Sequence, residues 1–152
     1  MKLQLIKPLF LLASTGILFG CSNADTDNVS FPDRSMQPCR ERPNCVSTAD
    51  KREEYHLADF VLSEAGLNNW KRITELALSL PGASLGSQSE AYIRVECRSS
   101  LFKFVDDFEV RRQDKQLMVR SESRVGYSDF GVNRKRAELF RSMLSEAGYI
   151  EP

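Results

Sequence analysis

The chain is poor in the side chains that most catalytic sites use. Its 152 residues include one histidine, His56, and one tryptophan, Trp70. It contains no Gly-x-Ser-x-Gly elbow, no His-Glu-x-x-His pair and no phosphate-binding loop, which removes the motif-based cases for serine hydrolases, zincins and P-loop enzymes. Ser121 and Ser123 have no histidine near them, so neither has a base to activate it. Net charge is also missing, since 21 Lys and Arg stand against 21 Asp and Glu. A neutral chain has no long-range field for a polyanion, and no nucleic-acid partner is expected. With one histidine and no second cysteine pair, a four-ligand zinc site has too few ligands, so neither a metal nor a cofactor is expected. No internal repeat is visible. What is present, 41% hydrophobic and 9% aromatic residues, is enough for a folded domain.

The N-terminus has the pattern of a secretory leader. Lys2 and Lys7 give a positive start, and Leu9 to Ala13 with Ile17 to Phe19 form an apolar stretch broken only by Ser14, Thr15 and Gly16. Polar residues follow at once from Ser22, so the stretch is short for a span of about 20 apolar residues. Leu18-Phe19-Gly20-Cys21 resembles the bacterial lipobox, although Phe19 is bulky for its position. The expectation is therefore removal of residues 1–20 and acylation of Cys21, palmitate included. At about 0.8 kcal/mol per buried methylene, several acyl chains hold a domain on a bilayer without a further membrane device. Ser22 after the cysteine fits export to the outer membrane of a bacterial envelope, facing the periplasm. The mature chain loses Lys2 and Lys7 and carries a net charge of −2. Residues 21–37 are read as lipidated cysteine and tether, with the polar run from Ser22 to Asp33, and residues 38–152 as one globular domain.

Cys39, Cys45 and Cys97 remain in an oxidising compartment. The turn-rich loop from Cys39 to Cys45 makes a local Cys39–Cys45 disulfide the simplest pairing. Capture of one of these by Cys97 is the alternative.

Hydrophobic periodicity gives an α+β fold, an antiparallel meander in the order strand, helix, three strands, helix, with the helices on one face. A short strand is expected near Tyr55–Leu62. Trp70, Ile73, Leu76, Ala77 and Leu80 share one face of a helix over Leu67–Leu80, capped by Asn68 or Asn69 and stopped by Pro81-Gly82. Strands follow at Ala91–Arg98, Leu101–Arg111 and Gln116–Arg124. Ile93, Val95 and Cys97 point to one side, and Phe102, Phe104, Phe108 and Val110 are expected inside. A helix over Asn133–Ala147 closes the domain, with Gly148 beyond its end.

One position conflicts with this pattern, because Asp106 falls on the face assigned to the core, where a carboxylate needs partners. With a two-residue turn at Gln113-Asp114, Asp106 would lie opposite Ser121 and Asp107 opposite Arg120. A dense polar run from Arg120 to Arg136 follows.

These segments, together with Pro43-Asn44-Cys45-Val46-Ser47, Phe104-Val105-Asp106-Asp107-Phe108-Glu109 and Asn133-Arg134-Lys135-Arg136, resemble the bacterial and plastid family called domain of unknown function 1499, over about residues 38 to 147. Arg40 stands where the resemblance leads one to expect a proline. The resemblance implies no activity.

The candidate site is Asp106, Asp107, Arg120, Arg124, Asp129, Asn133, Arg134 and Arg136. In one reading the arginines and the backbone at Asn133 hold an anionic small molecule or a lipid headgroup. Against it stands a structural reading, favoured here, in which Asp106, Asp107, Glu109 and Asp129 neutralise the arginines internally. A third reading is a tethered adaptor for an envelope protein. A carboxylate- or metal-dependent hydrolase has least support, because adjacent Asp106 and Asp107 in a strand point to opposite faces.

Overall fold

Alternation of apolar and polar residues in three segments between Tyr92 and Ser123, interrupted at Asp106, builds the centre of the molecule. In the computed structural model, which describes residues 31–152, that stretch forms β4 (Tyr92–Arg98), β5 (Val105–Gln113) and β6 (Gln116–Ser123). They follow β1 (Cys45–Ser47), β2 (Phe60–Val61), α1 (Glu64–Leu67), α2 (Trp70–Leu78) and β3 (Ala83–Ser89), and precede α3 (Val132–Glu146). The sheet runs β1-β6-β5-β4-β3, with β2 also on the outer edge of β6, and its pairs are antiparallel. This is the expected α+β meander.

One face is apolar. Ile93, Val95 and Cys97 of β4, Phe108 and Val110 of β5, and Leu117 and Val119 of β6 are buried together with Ile73 and Ala77 of α2 and Ala137, Phe140 and Leu144 of α3. Phe108 meets Phe140 edge to face at 5.3 Å between centroids. Among the described residues no helix is long and apolar enough to cross a membrane.

Four expectations change. The helix expected over Leu67–Leu80 runs only from Trp70 to Leu78, behind its expected cap Asn69, whose side chain bonds back to the Ala65 carbonyl, and Leu67 instead ends the short α1. Most of Tyr55–Leu62 is loop, with β2 reduced to two residues and His56 bridging Ser47. Phe102 and Phe104 lie outside, because β5 begins at Val105 and the chain before it forms an exposed loop. The β5–β6 turn is Asp114-Lys115, not Gln113-Asp114, which slides the register by two: Asp106 faces Ser123, Asp107 faces Glu122, and Arg120 faces Glu109. A two-residue slip keeps each side chain on its face, so the assignment of faces stands. Asp114 takes the left-handed backbone that this turn requires, which aspartate tolerates.

The compact unit starts at Pro32, so Pro32 to Gln37, expected in the tether, fall within it. The expected signal peptide, Cys21 and most of the expected tether lie outside the described residues. Cys39 and Cys45 are disulfide-bonded, and Cys97 is a buried free thiol.

Candidate functional site

On the apolar face, Asp106 sits at the margin of the core and is 7% exposed. The first turns of α3 bring its partner, since Asn133 and Arg136 are three residues apart and share a helix face. One Arg136 Nη donates to Asp106 Oδ2 at 2.7 Å, and the other donates to Asn133 Oδ1 at 2.7 Å and Ser121 Oγ at 3.1 Å. Asn133 is fully buried. Its Nδ2 donates to the Asn44 carbonyl and to Ser123 Oγ, while its Oδ1 also accepts from Ser121 Oγ at 2.6 Å. One asparagine thus joins β6, α3 and the residue before β1 with its polar capacity filled. Asp129 takes the start of α3, accepting from the Gly131 and Asn133 N–H groups, where Gly131 itself offers no side chain. The carboxylate also faces the positive end of the helix.

The opposite face of the sheet carries a second network, made almost wholly of charge. Arg94, Glu109 and Arg120 lie in one cross-strand row, and Glu96, Asp107 and Glu122 in the next. Asp107 accepts from Arg94 at 2.9 Å and from Arg124 at 2.8 and 3.0 Å. Glu96 accepts from Arg94 and Arg124, and Glu122 from Arg120 at 2.9 Å. Gly86 leaves room for this, because a Cβ there would lie 2.9 Å from the Arg94 guanidinium carbon. Arg34 then crosses the carboxylates from above. Its side chain reaches Glu122 at 2.5 Å and both Asp107 and Glu109 at 3.4 Å, and its backbone N–H donates to Glu109 at 2.7 Å. Asp33 pairs with Arg111 beside it.

Together Arg34, Arg94, Arg120 and Arg124 match the four acids in charge, which makes so buried a cluster tolerable. Burial by itself would raise the Asp107 carboxyl, but the Arg124 and Arg94 guanidiniums outweigh it and hold it below the usual range. The Arg124 hydrogen bond likewise lowers Glu96, and the Asp107 hydrogen bond raises Arg124. Tyr92 donates to Glu109 at 2.8 Å; burial and that carboxylate both push its phenol upward.

Residues 35–144, most of the chain, match the family described as protein of unknown function DUF1499. The chain belongs to this family. No curated protein and no solved structure matches it. Within this DUF1499 domain, the match opens one residue after Arg34 and includes the other charged partners of both networks.

The DUF1499 fold divides the eight candidate residues among separate places. Arg120, Arg124 and Asp107 belong to the outer network, and Asp106, Asn133 and Arg136 to the core margin. Asp129 caps α3, and Arg134 donates to the backbone carbonyls of His56 and Glu54. They do not converge on one cleft. Asp106 and Asp107 point to opposite faces, as the strand requires, and each carboxylate is held by arginine. Among the described residues no group of three His, Cys, Asp or Glu is arranged to hold a metal ion.

Sequence reasoning missed Arg34, Arg94, Glu96 and Glu122. The one available signal was the pairing of Arg94-Val-Glu96 with Arg120-Ser-Glu122, which reads as an ordinary solvated strand face until something is seen to cover it.

Proposed function

We propose that this DUF1499 protein is a lipid-anchored domain of the bacterial envelope that works by contact and not by catalysis. Cys21 carries the acyl chains, the outer membrane holds them, and the domain faces the periplasm. The Arg/Asp motif serves as internal scaffold. The observation that carries this reading is that each of Arg120, Arg124, Arg134 and Arg136 donates to a carboxylate or a carbonyl of its own chain, so binding an anionic ligand would mean breaking bonds already made. A hydrolase reading draws little support from carboxylates tied to arginine on two faces. An adaptor reading, with an envelope protein as partner, draws on the apolar side chains exposed at one end of the sheet.

The test is metabolic labelling with an alkynyl palmitate, followed by fractionation. The wild-type chain should take the label, and Cys21→Ala should lose it and be held less tightly by membranes. Labelling that persists in Cys21→Ala, or a wild-type chain that takes no label, would overturn the anchor. Titration with inorganic phosphate at low ionic strength should give no saturable binding. Saturable binding that disappears in Arg124→Ala would restore the anion site.

A further inference from the structure

Exposed aromatic side chains concentrate at one end of the sheet. Phe102, Phe104, Tyr127 and Phe130 are the four large exposed aromatics among the described residues, with Phe130 at 89% and Tyr127 at 72% exposure. All four lie in the two loops beyond the ends of β4 and β6. The loops are neighbours: the Arg124 N–H donates to the Val105 carbonyl, and Val132 lines the same cleft as Ser99 and Lys103. Leu101 and Val125, in the same two loops, are exposed as well, and the Phe102 and Phe104 rings stack at 5.7 Å. Apolar side chains gathered in this way mark an interaction site.

The backbone adds a separate observation. Lys103 and Phe130 hold left-handed backbone, at φ 58° and 54°. A bulky aromatic in that conformation, projecting into solvent, is explained neither by packing nor by local preference, and such residues gather at functional sites.

We propose that this tip contacts the surface of the bilayer to which the chain is anchored, with the aromatic rings entering the boundary between headgroups and acyl chains. The charge around it fits anionic headgroups. Arg98, Lys103 and Lys135 stand on or beside the two loops, and the one acid within them, Asp129, has both oxygens occupied by backbone N–H groups. Basic side chains beside aromatic ones suit a membrane interface.

The reach is also sufficient. Asp33 is held at Arg111, six strand residues from Val105, which is about 20 Å. The ten Cα–Cα steps from Cys21 to Phe31 can span up to about 35 Å. A tether of that length keeps the tip at a millimolar effective concentration of lipid surface, so weak insertion is enough. This inference rests on the Cys21 anchor for its tether, but the contact itself is measured without it.

The experiment uses the mature chain carrying Cys21→Ser, mixed with vesicles of phosphatidylethanolamine and phosphatidylglycerol. Phe130→Trp provides the probe, read against the parent chain, whose single tryptophan lies on α2. The expected result is a blue shift of the added emission and its quenching by lipids brominated along the acyl chain. Partition, read by co-sedimentation with the vesicles because the double variant carries no probe at position 130, should fall at least about tenfold in Phe102→Ser/Phe130→Ser, by loss of apolar transfer, and weaken with salt. Unchanged thermal unfolding would show that these surface variants still fold. No blue shift, or partition equal to that of the double variant, would overturn the proposal. So would crosslinks from the tip to a single envelope protein, or self-association abolished by Phe130→Ser. If Cys21 proves unlabelled in cells, the anchor fails while the vesicle result stands; if it is labelled and the vesicles fail, only the tip contact falls.

Discussion

Replacing Arg136 by methionine should be among the most damaging single changes in this domain. The guanidinium is the ion-pair partner of Asp106 among the described residues, and each side chain keeps only 10% of its surface exposed. Removing one member strands a nearly buried carboxylate, which typically costs about 3–5 kcal/mol. The residual exposure favours the lower end, about 3 kcal/mol. Asn133 Oδ1 loses one donor but keeps Ser121 Oγ, so the loss centres on Asp106. Against a total stability on the order of 5–15 kcal/mol, this is a large fraction, and it should lower the melting temperature by about 10 °C. Urea unfolding at neutral pH measures it, with Asp106→Leu/Arg136→Met as the deciding partner. Because the pair's attraction roughly offsets its desolvation, the apolar double variant should recover to within about 1–2 kcal/mol of the parent. A single variant that loses under about 1 kcal/mol, or a double variant no better than the single, would refute the view that an uncompensated carboxylate is the cause.

Arg34→Ala should uncover the outer carboxylates and loosen the segment before Gln37, at about 2 kcal/mol for a guanidinium whose side chain is 19% exposed; limited proteolysis should cut this variant sooner near its N-terminus, and unchanged cleavage would contradict the strap. Asp50, through its Arg52 hydrogen bond, Glu96, through that of Arg124, and Asp107 all hold folded-state pKa values below the usual carboxylate range. The unfolded chain therefore takes up protons first as pH falls below about 4; their contribution is present at neutral pH and is lost in acid, so a urea midpoint that rises from pH 7 towards pH 3 would be inconsistent. Burial pushes the Cys97 thiol up to about 11, so iodoacetamide at about pH 8 should leave it unmodified in the folded chain and label it in denaturant; rapid labelling of the native protein would show that it is accessible. Cys39→Ser/Cys45→Ser opens a short loop with a sequence separation of 6 and should lose about 2 kcal/mol, read as a lower urea midpoint, whereas an unchanged midpoint would assign the stapling to the bonds that Asp50 and Arg52 make to Cys39.

Legibility in the sequence followed the range of the interactions. The oddity of Asp106 was visible because alternation assigns faces within one strand, and its placement on the core face survived a two-residue error in register. The partner was not visible by the same route. Arg136 reaches Asp106 across 30 positions, through a helix whose docking no local pattern specifies. β1 and β3 escaped notice for a related reason: β1 is three residues long, and β3, an edge strand reading Ala-Ser-Leu-Gly-Ser-Gln-Ser, lacks an apolar alternation. Phe102 and Phe104 misled because aromatic residues at alternate positions look like strand core whether or not a strand continues through them.

By itself, the sequence determined the fold class, the three central strands, the closing helix and the dense arginine and carboxylate content, since periodicity and composition are properties of neighbouring residues. Tertiary structure decided that the polar face of the sheet is buried at all. Arg94 reads as the polar side of a half-buried strand, and it is the return of Arg34 across Asp107, Glu109 and Glu122, 75 positions away at its contact with Glu109, that turns that face into a closed network. The same long-range assembly puts Arg120 and Arg124 on the opposite face of the sheet from Arg136 and brings two loops with four exposed aromatics to one end. Local sequence encodes which side of a strand a residue takes; what covers that side depends on chain segments far away, whose docking rests on summed burial and charge balance rather than on any nearby pattern.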